Sequence, residues 1–232
     1  MITQALILAA GRGERLRPLT DHCPKALVEV GGRALLDWHL LKLAQAGIEQ
    51  VVINTHHLAA QLHAHVENAA DHGMHIRFSD EQPQALETLG GIVRARRLLC
   101  DEPFLLVNAD VHVACDYRQL VQASVKASGP QALLLLVPNP AHHPRGDFSL
   151  RNGLLQTSHT APTYTYSGLA AMHPALIADI PDDGTPRPLA PLLQSKAKQQ
   201  LIAAELLRGG WFDVGTPARL SACREHLRGS CE

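Results

Sequence analysis

The chain has 232 residues, 46% hydrophobic and 19% charged, the make-up of a soluble globular protein with enough apolar side chains for a real core. A formal net charge of -1 excludes the broad basic field used by nucleic-acid and anionic-membrane binders, so any anion site must come from local geometry. No stretch approaches ~20 apolar residues, the first apolar run is short and lacks a basic flank, and the five cysteines (Cys23, Cys100, Cys115, Cys223, Cys231) include no CxxC pair. These features predict no transmembrane span, no secretion signal, and free thiols in a reducing cytoplasm.

The first element is a buried strand, Ala5-Leu6-Ile7-Leu8-Ala9. It feeds the stretch Leu8-Ala9-Ala10-Gly11-Arg12-Gly13-Glu14-Arg15-Leu16-Arg17-Pro18-Leu19-Thr20-Asp21-His22-Cys23-Pro24-Lys25. Small residues and two glycines let backbone amides approach phosphate oxygens, and Arg15 and Lys25 add positive charge, so the stretch reads as a triphosphate cradle with two cationic arms. A dinucleotide fingerprint would need a small residue in place of Leu16 and an unbroken helix where Pro18 and Pro24 fall. A kinase-type phosphate loop would need a terminal Gly-Lys-Ser/Thr, which is missing. Gly-x-Gly alone would be an ordinary turn.

A short strand-like segment, Leu27 to Val30, and a Gly31-Gly32 turn come next. Residues 34 to 46 read as a helix with Leu36, Leu40, Leu43 and Ala44 on one face and Gly47 beyond its end. Val51-Val52-Ile53 reads as a buried strand, 58 to 70 as a helix, and His75 to Phe78 as a strand. This alternation predicts an α/β fold: a doubly wound, mostly parallel sheet with right-handed crossovers and helices on both faces. Residues 80 to 91 read as a loop ending in Gly90-Gly91, whose backbone donors would open a helix running through Ile92 to Leu99.

Phe104 to Val107 is a fully apolar strand that ends in Asn108-Ala109-Asp110, at the carboxyl edge where open α/β sheets bind ligands. A carboxylate facing a phosphate cradle suits Mg²⁺, although Asp110 read alone is equally a turn cap. Ala132 to Val137 is another buried strand, and the triple-proline segment 138 to 148 is a stiff loop containing His142, His143, Arg145, Gly146 and Asp147. Asn152-Gly153 signals a type I′ hairpin, and Thr163 to Met172 a longer strand. Pro188 to Lys198 reads as a helix and Leu201 to Leu206 as a strand. Thr216 and Pro217 then suit the cap and first position of a last helix, just after Asp213. The 14 histidines lack metal-site spacing and read mostly as surface or loop residues. No internal repeat is visible.

The pattern Leu-Ala-Ala-Gly-x-Gly-x-Arg-x-x-Pro-x-Thr-x-x-x-Pro-Lys, with Asn108-Ala109-Asp110 and Trp211-Phe212-Asp213-Val214-Gly215-Thr216, resembles the sugar-1-phosphate nucleotidylyltransferases. The resemblance implies a Rossmann-like nucleotidyltransferase domain over 1–232, with a nucleotide-binding half at 1–137, a sugar-binding half at 138–232 and a small lid of antiparallel strands. It implies nucleotide contacts from Leu8, Ala9, Ala10, Gly11, Gly13, Glu14, Arg15, Lys25, Gly90 and Gly91, with Arg15 and Lys25 catalytic. It further implies sugar contacts from Asn108, Gly146 and Asp147, and Mg²⁺ held by Asp110 and Asp213. Leu89 stands where relatives usually carry a small residue. The chain is most similar to the N-acetylmuramate 1-phosphate uridylyltransferases of cell-wall recycling, which share its His-His-x-Arg-Gly-Asp-Phe segment. The implied partners are UTP and that sugar phosphate in the cytoplasm, for a monomer or simple homo-oligomer with no nucleic acid or membrane partner. A mannose-1-phosphate guanylyltransferase is the alternative. A regulatory relative that only binds nucleotide sugar is another, against which the intact Arg15, Lys25, Asp110 and Asp213 argue.

Overall fold

The computed structural model describes residues 1–69, 73–157 and 162–229. Its elements in the first half are β1 (Gln4–Leu8), β2 (Glu29–Val30), β3 (Arg33–Ala34), α1 (Leu35–Gln45), β4 (Gln50–Thr55), α2 (Ala59–Asn68), β5 (His75–Asp80) and α3 (Glu87–Ala95). They continue with β6 (Phe104–Asn108), β7 (Val111–Val113), α4 (Arg118–Val121), β8 (Ala132–Pro138), β9 (Phe148–Arg151), β10 (Leu154–Gln156) and β11 (Thr163–Met172). The last are α5 (Leu189–Lys198), β12 (Ile202–Leu206), β13 (Trp211–Asp213) and α6 (Pro217–Gly229). Residue 70, the expected end of the second helix, and Cys231 lie outside the described residues. Cys23, Cys100, Cys115 and Cys223 are unbridged. Among the described residues no helix is long and apolar enough to cross a membrane.

A nine-stranded sheet runs in the order β5-β4-β1-β6-β11-β8-β12-β10-β9. The β5-β4-β1-β6 block is parallel, as is β8 with β12, while β11 runs antiparallel to both its neighbours. Strand side chains alternate between faces, and the core divides accordingly. Ala5, Ile7, Val51, Ile53, Leu105 and Val107 pack with Leu36, Leu40 and Leu43 of α1 on one face. Leu6, Val52, Leu106, Leu134 and Leu136 pack with α3 and α5 on the other. Both faces are thus covered, and the central strands read as unbroken apolar runs for that reason. A smaller cluster joins Leu220 and Cys223 of α6 to Leu16, Val28, Val30 and Leu35.

The chain moves outward from β1 to β4 and β5, then returns to place β6 on the other side of β1. This reversal is a topological switch point, and it opens a crevice at the carboxyl ends of β1 and β6. There Leu8 and Asn108 stand in register. The small antiparallel pairs are β2-β3 and β7-β13, while the β9-β10 hairpin joins the far edge of the main sheet. Asn152 and Gly153 both have positive φ, 53° and 74°, as a type I′ turn requires.

Two local expectations are corrected. Lys25–Leu27 forms a 3-10 turn, so the strand that follows shrinks to two residues, Glu29–Val30. Of the 80–91 segment, Asp80 ends β5 and only 81–86 are loop. Its second part is the first half of α3, because Leu89, Ile92 and Val93 bury one face of a helix there. That burial outweighs the ~1 kcal/mol that each interior glycine costs a helix. The histidines are mostly at least partly exposed among the described residues, with His39 and His112 buried.

His39 has a structural role. Its Nε2–H donates to the Val111 carbonyl at 2.9 Å, and its Nδ1 accepts from the Tyr117 hydroxyl at 2.7 Å. The ring therefore ties α1 to β7 in its neutral form. Burial, opposed by the bond to Val111, lowers its pKa from 6.5 to about 4. Between those values an unfolded chain takes up a proton that the folded one refuses, so stability falls as pH drops from 6.5 and levels off below about 4. The expected loss is about 3 kcal/mol across that window. Urea unfolding from pH 7 to pH 4 should show it, and His39→Gln should flatten that part of the slope.

Candidate functional site

A cleft of about 500 Å³ occupies the switch-point crevice. Leu8, Ala9, Ala10, Gly11, Gly13, Glu14, Arg15 and Lys25 line one wall, and Asn108, Ala109 and Asp110 another. The first wall is held from behind by Asn54, whose Oδ1 accepts the amides of Ala9 at 2.6 Å and Ala10 at 3.2 Å. Asn54 Nδ2 donates to Glu81 Oε1 at 2.6 Å, and Glu81 Oε2 accepts the Leu86 amide at 2.7 Å. Glu81 is 1% exposed, and burial raises its pKa despite the hydrogen bonds from Leu86 and Asn54. With two amides committed to Asn54, the free donors of the loop start at Gly11: no described acceptor in the protein takes the amides of Gly11, Arg12 or Gly13. Gly13 has φ 69°, and a Cβ there would come within 3.0 Å of Thr20 and 3.2 Å of Lys25, so the turn requires glycine. The Thr20 hydroxyl donates to the Gly13 carbonyl at 2.8 Å and braces it.

Gly90 and Gly91 do not open a helix. They are buried inside α3, whose first amides are already capped: Leu89 and Gly90 donate to the Arg187 carbonyl at 2.8 and 3.2 Å. Gly91 instead makes room for the bracket, because a Cβ there would lie 2.4 Å from Glu81 Oε1 and 2.7 Å from Asn54 Nδ2. Leu89 points into the core, and Glu87 and Thr88 line the cleft in its place.

Lys25 and Asp110 line the cleft, and Asp213 and Arg219 lie beside it. Lys25 is 8% exposed, and its Nζ lies 2.5 Å from Asp110 Oδ2. Asp213 arrives from the far end of the sequence because β13 pairs with β7, placing Asp213 opposite Val111. The Val214 amide donates to the Asp110 carbonyl at 2.9 Å and locks that juxtaposition. Arg219 Nη1 approaches Asp213 Oδ2 at 2.5 Å, with His142 Nε2 at 3.5 Å from the same oxygen. The Thr216 hydroxyl accepts from the Arg219 amide at 3.4 Å, the expected cap. Arg15 stands exposed on the rim.

A second chamber, of about 450 Å³, shares Glu87, Thr88 and Asn108 with the cleft. Asp147 lines it, its Oδ2 accepting the Tyr166 amide at 2.8 Å and its Oδ1 facing His143 Nε2 at 3.0 Å. Gly146 supplies the turn before it, with φ 60° and space for a Cβ only 2.4 Å from Asn139 Oδ1. Asn54 and Glu81 were missed in the sequence. The signal was there, since Asn54 lies one residue before the end of β4 and Glu81 one residue after β5, both at the carboxyl edge where Asn108 ends β6.

Residues 4–146 match the family model described as Nucleotidyl transferase. The chain is 41% identical to the N-acetylmuramate alpha-1-phosphate uridylyltransferase of Neisseria meningitidis, over 94% of this chain and 95% of the relative. It is 37% identical to the protein of the same name from Caulobacter vibrioides, over 94% of each. A solved UDP-glucose pyrophosphorylase complexed with UDP-glucose shares the fold, with a TM-score of 0.79 at 17% identity over 99% of this chain and all of the other.

The bracket behind the loop makes a definite claim about stability. Asn54→Ala strands two loop amides and one oxygen of a buried carboxyl, and should lower unfolding free energy by about 3 kcal/mol in chemical denaturation. A loss under about 1 kcal/mol would mean that the loop holds its shape without Asn54.

Proposed function

The chain belongs to the nucleotidyl transferase family, and we propose on that footing that it joins UTP to N-acetylmuramate 1-phosphate and releases pyrophosphate, with Mg²⁺. The observation that carries the reaction is the meeting, at one switch point, of a loop with uncommitted amides, two cationic side chains and two carboxylates. The choice of base and sugar is supported by the 41% and 37% identical relatives. The chain works as one catalytic unit, 1–137 serving the nucleotide and 138–232 the sugar, in the cytoplasmic setting of cell-wall recycling.

Asp110 and Asp213 fit the metal. Asp110 lines the cleft and Asp213 is brought beside it by β13, and both are hard oxygen donors, each paired with a cation, Lys25 and Arg219. Among the described residues no cluster of three or more ligating side chains forms, which suits an ion completed by phosphate oxygens and water. When bound, Mg²⁺ would neutralise phosphate charge. A sugar-phosphate oxygen attacks the α-phosphorus while its bond to the pyrophosphate oxygen breaks. The nucleophile is already an anion, so no general base is required, and the protein's task is positioning and charge neutralisation. The amides from Gly11 onward hold the triphosphate. Arg15 meets charge growing on the leaving group. Lys25, nine-tenths buried and able to exchange Asp110 for phosphate, draws the two anions together. On the loop at 142–147, Arg145 is the permanent cation best suited to the lactyl carboxylate, since His142 and His143 already face Asp213 and Asp147.

The direct experiment is pyrophosphate release from a panel of NTPs and sugar 1-phosphates with Mg²⁺. UTP with N-acetylmuramate 1-phosphate should be fastest, and a preference for GTP with mannose 1-phosphate would overturn the substrate assignment. Asp110→Asn and Asp213→Asn should fold yet lose most turnover. Lys25→Ala and Arg15→Ala should each lose about 100-fold in kcat, as when one preorganised donor is removed. Arg145→Ala should lose more on N-acetylmuramate 1-phosphate than on N-acetylglucosamine 1-phosphate.

A further inference from the structure

The loop between β8 and β9, residues 139–147, is folded around one side chain. Asn139 commits its whole carboxamide to it. Nδ2 donates to the Pro144 carbonyl at 3.2 Å and to the Thr163 hydroxyl at 2.9 Å, and Oδ1 accepts from the Thr165 hydroxyl at 3.0 Å. The loop closes directly onto that group, because a Cβ on Gly146 would come within 2.4 Å of Asn139 Oδ1. Two backbone turns complete it: the His143 amide donates to the Pro140 carbonyl at 2.8 Å, and the Gly146 amide to the His143 carbonyl at 3.1 Å. The two charged residues at its end are held differently. Asp147 has its own anchors, since its amide donates to the Tyr164 carbonyl at 2.8 Å and its Oδ2 accepts the Tyr166 amide at 2.8 Å. Arg145 has none: it is exposed and forms no hydrogen bond or ion pair with another described residue.

We propose that Asn139 is the positioning residue for Arg145, and through it a determinant of which sugar phosphate the protein selects. An arginine on an unheld loop samples many positions, and gathering it onto an anion costs backbone and side-chain entropy. The bond from Asn139 grips the carbonyl next to Arg145 in the chain, and prolines at 140 and 144 fix φ on either side of the turn, so the guanidinium starts from a preformed base. The same carboxamide is tied to Thr163 and Thr165 of β11, the strand whose Tyr166 amide holds Asp147 at the second chamber. Asn139 thus refers the place of the free cation to the strand that builds the sugar side of the site. The inference rests on the proposed transfer to N-acetylmuramate 1-phosphate, in which Arg145 meets the lactyl carboxylate.

Two readouts on Asn139→Ala test this. In pyrophosphate release, the KM for N-acetylmuramate 1-phosphate should rise about tenfold, the worth of one well-placed hydrogen bond. The KM values for UTP and for N-acetylglucosamine 1-phosphate, which lacks the lactyl group, should hold, a split that general loss of structure does not produce. Without any substrate, trypsin should cut the Arg145–Gly146 bond faster than in wild type, because the loop has lost its central tie. Asn139→Asp keeps the shape of the side chain and serves if the alanine variant does not fold. Its carboxylate cannot donate to the Pro144 carbonyl, whereas the Thr163 hydroxyl can turn to donate to it, so the link beside Arg145 is the one lost and cleavage should again quicken. Unchanged cleavage, or equal losses on both sugar phosphates, overturns the role of Asn139 and leaves uridylyl transfer standing. A wild type that does not favour the lactyl sugar overturns the substrate assignment and this inference together.

Discussion

The site depends on one buried amide side chain. Asn54 accepts two backbone amides from the phosphate loop on one side and donates to a buried carboxyl on the other, so a single residue on β4 joins β1, β5 and the start of α3. Without such an acceptor, the amides of Ala9 and Ala10 would be desolvated and unpaired, and the loop would have to rearrange to satisfy them. The glycine at position 91 belongs to the same constraint, because any side chain there would collide with the bracket. Gly91 is thus the space in which the loop's support is assembled.

Electrostatics complete what the bracket begins. The cleft must accept two polyanions, yet the chain's net charge is close to zero. The positive charge is therefore concentrated and held in reserve. Lys25 and Arg219 rest on Asp110 and Asp213, so the protein alone keeps these four groups paired at close range. Lys25 is the buried member, and its pairing with Asp110 lets the fold tolerate that charge until substrate arrives.

The parallel sheet was legible from the alternation of apolar runs with amphipathic helices, and the ends of those runs located Asn108 and Asp110. Thr163 to Met172 was readable as a strand from its weak alternation. The α3 boundary was not legible. Local propensity put glycines outside the helix, and only the tertiary burial of Leu89, Ile92 and Val93 reverses that. His39 also escaped notice, because a histidine on an apolar helix face declares itself buried only when its partners, Tyr117 and Val111, are brought to it from distant positions. Long-range pairing likewise hides from local pattern: nothing near Val111 announces that β13 will bond to it.

That last pairing has a consequence for the order in which the molecule is made. The loop that opens the chain is flanked by Leu16 and Val28, which pack against Leu220 and Cys223 of α6, and the site needs Asp213 from β13. A ribosome has therefore made the chain through β13 and α6 before the first loop acquires these neighbours. Parallel β1, β4 and β5 can assemble early with α1 and α2, yet the nascent chain holds an unfinished phosphate site throughout that time. Activity should switch on in one late step, when the C-terminal segment docks, and fragments cut short of α6 should be inert even where their sheet has formed.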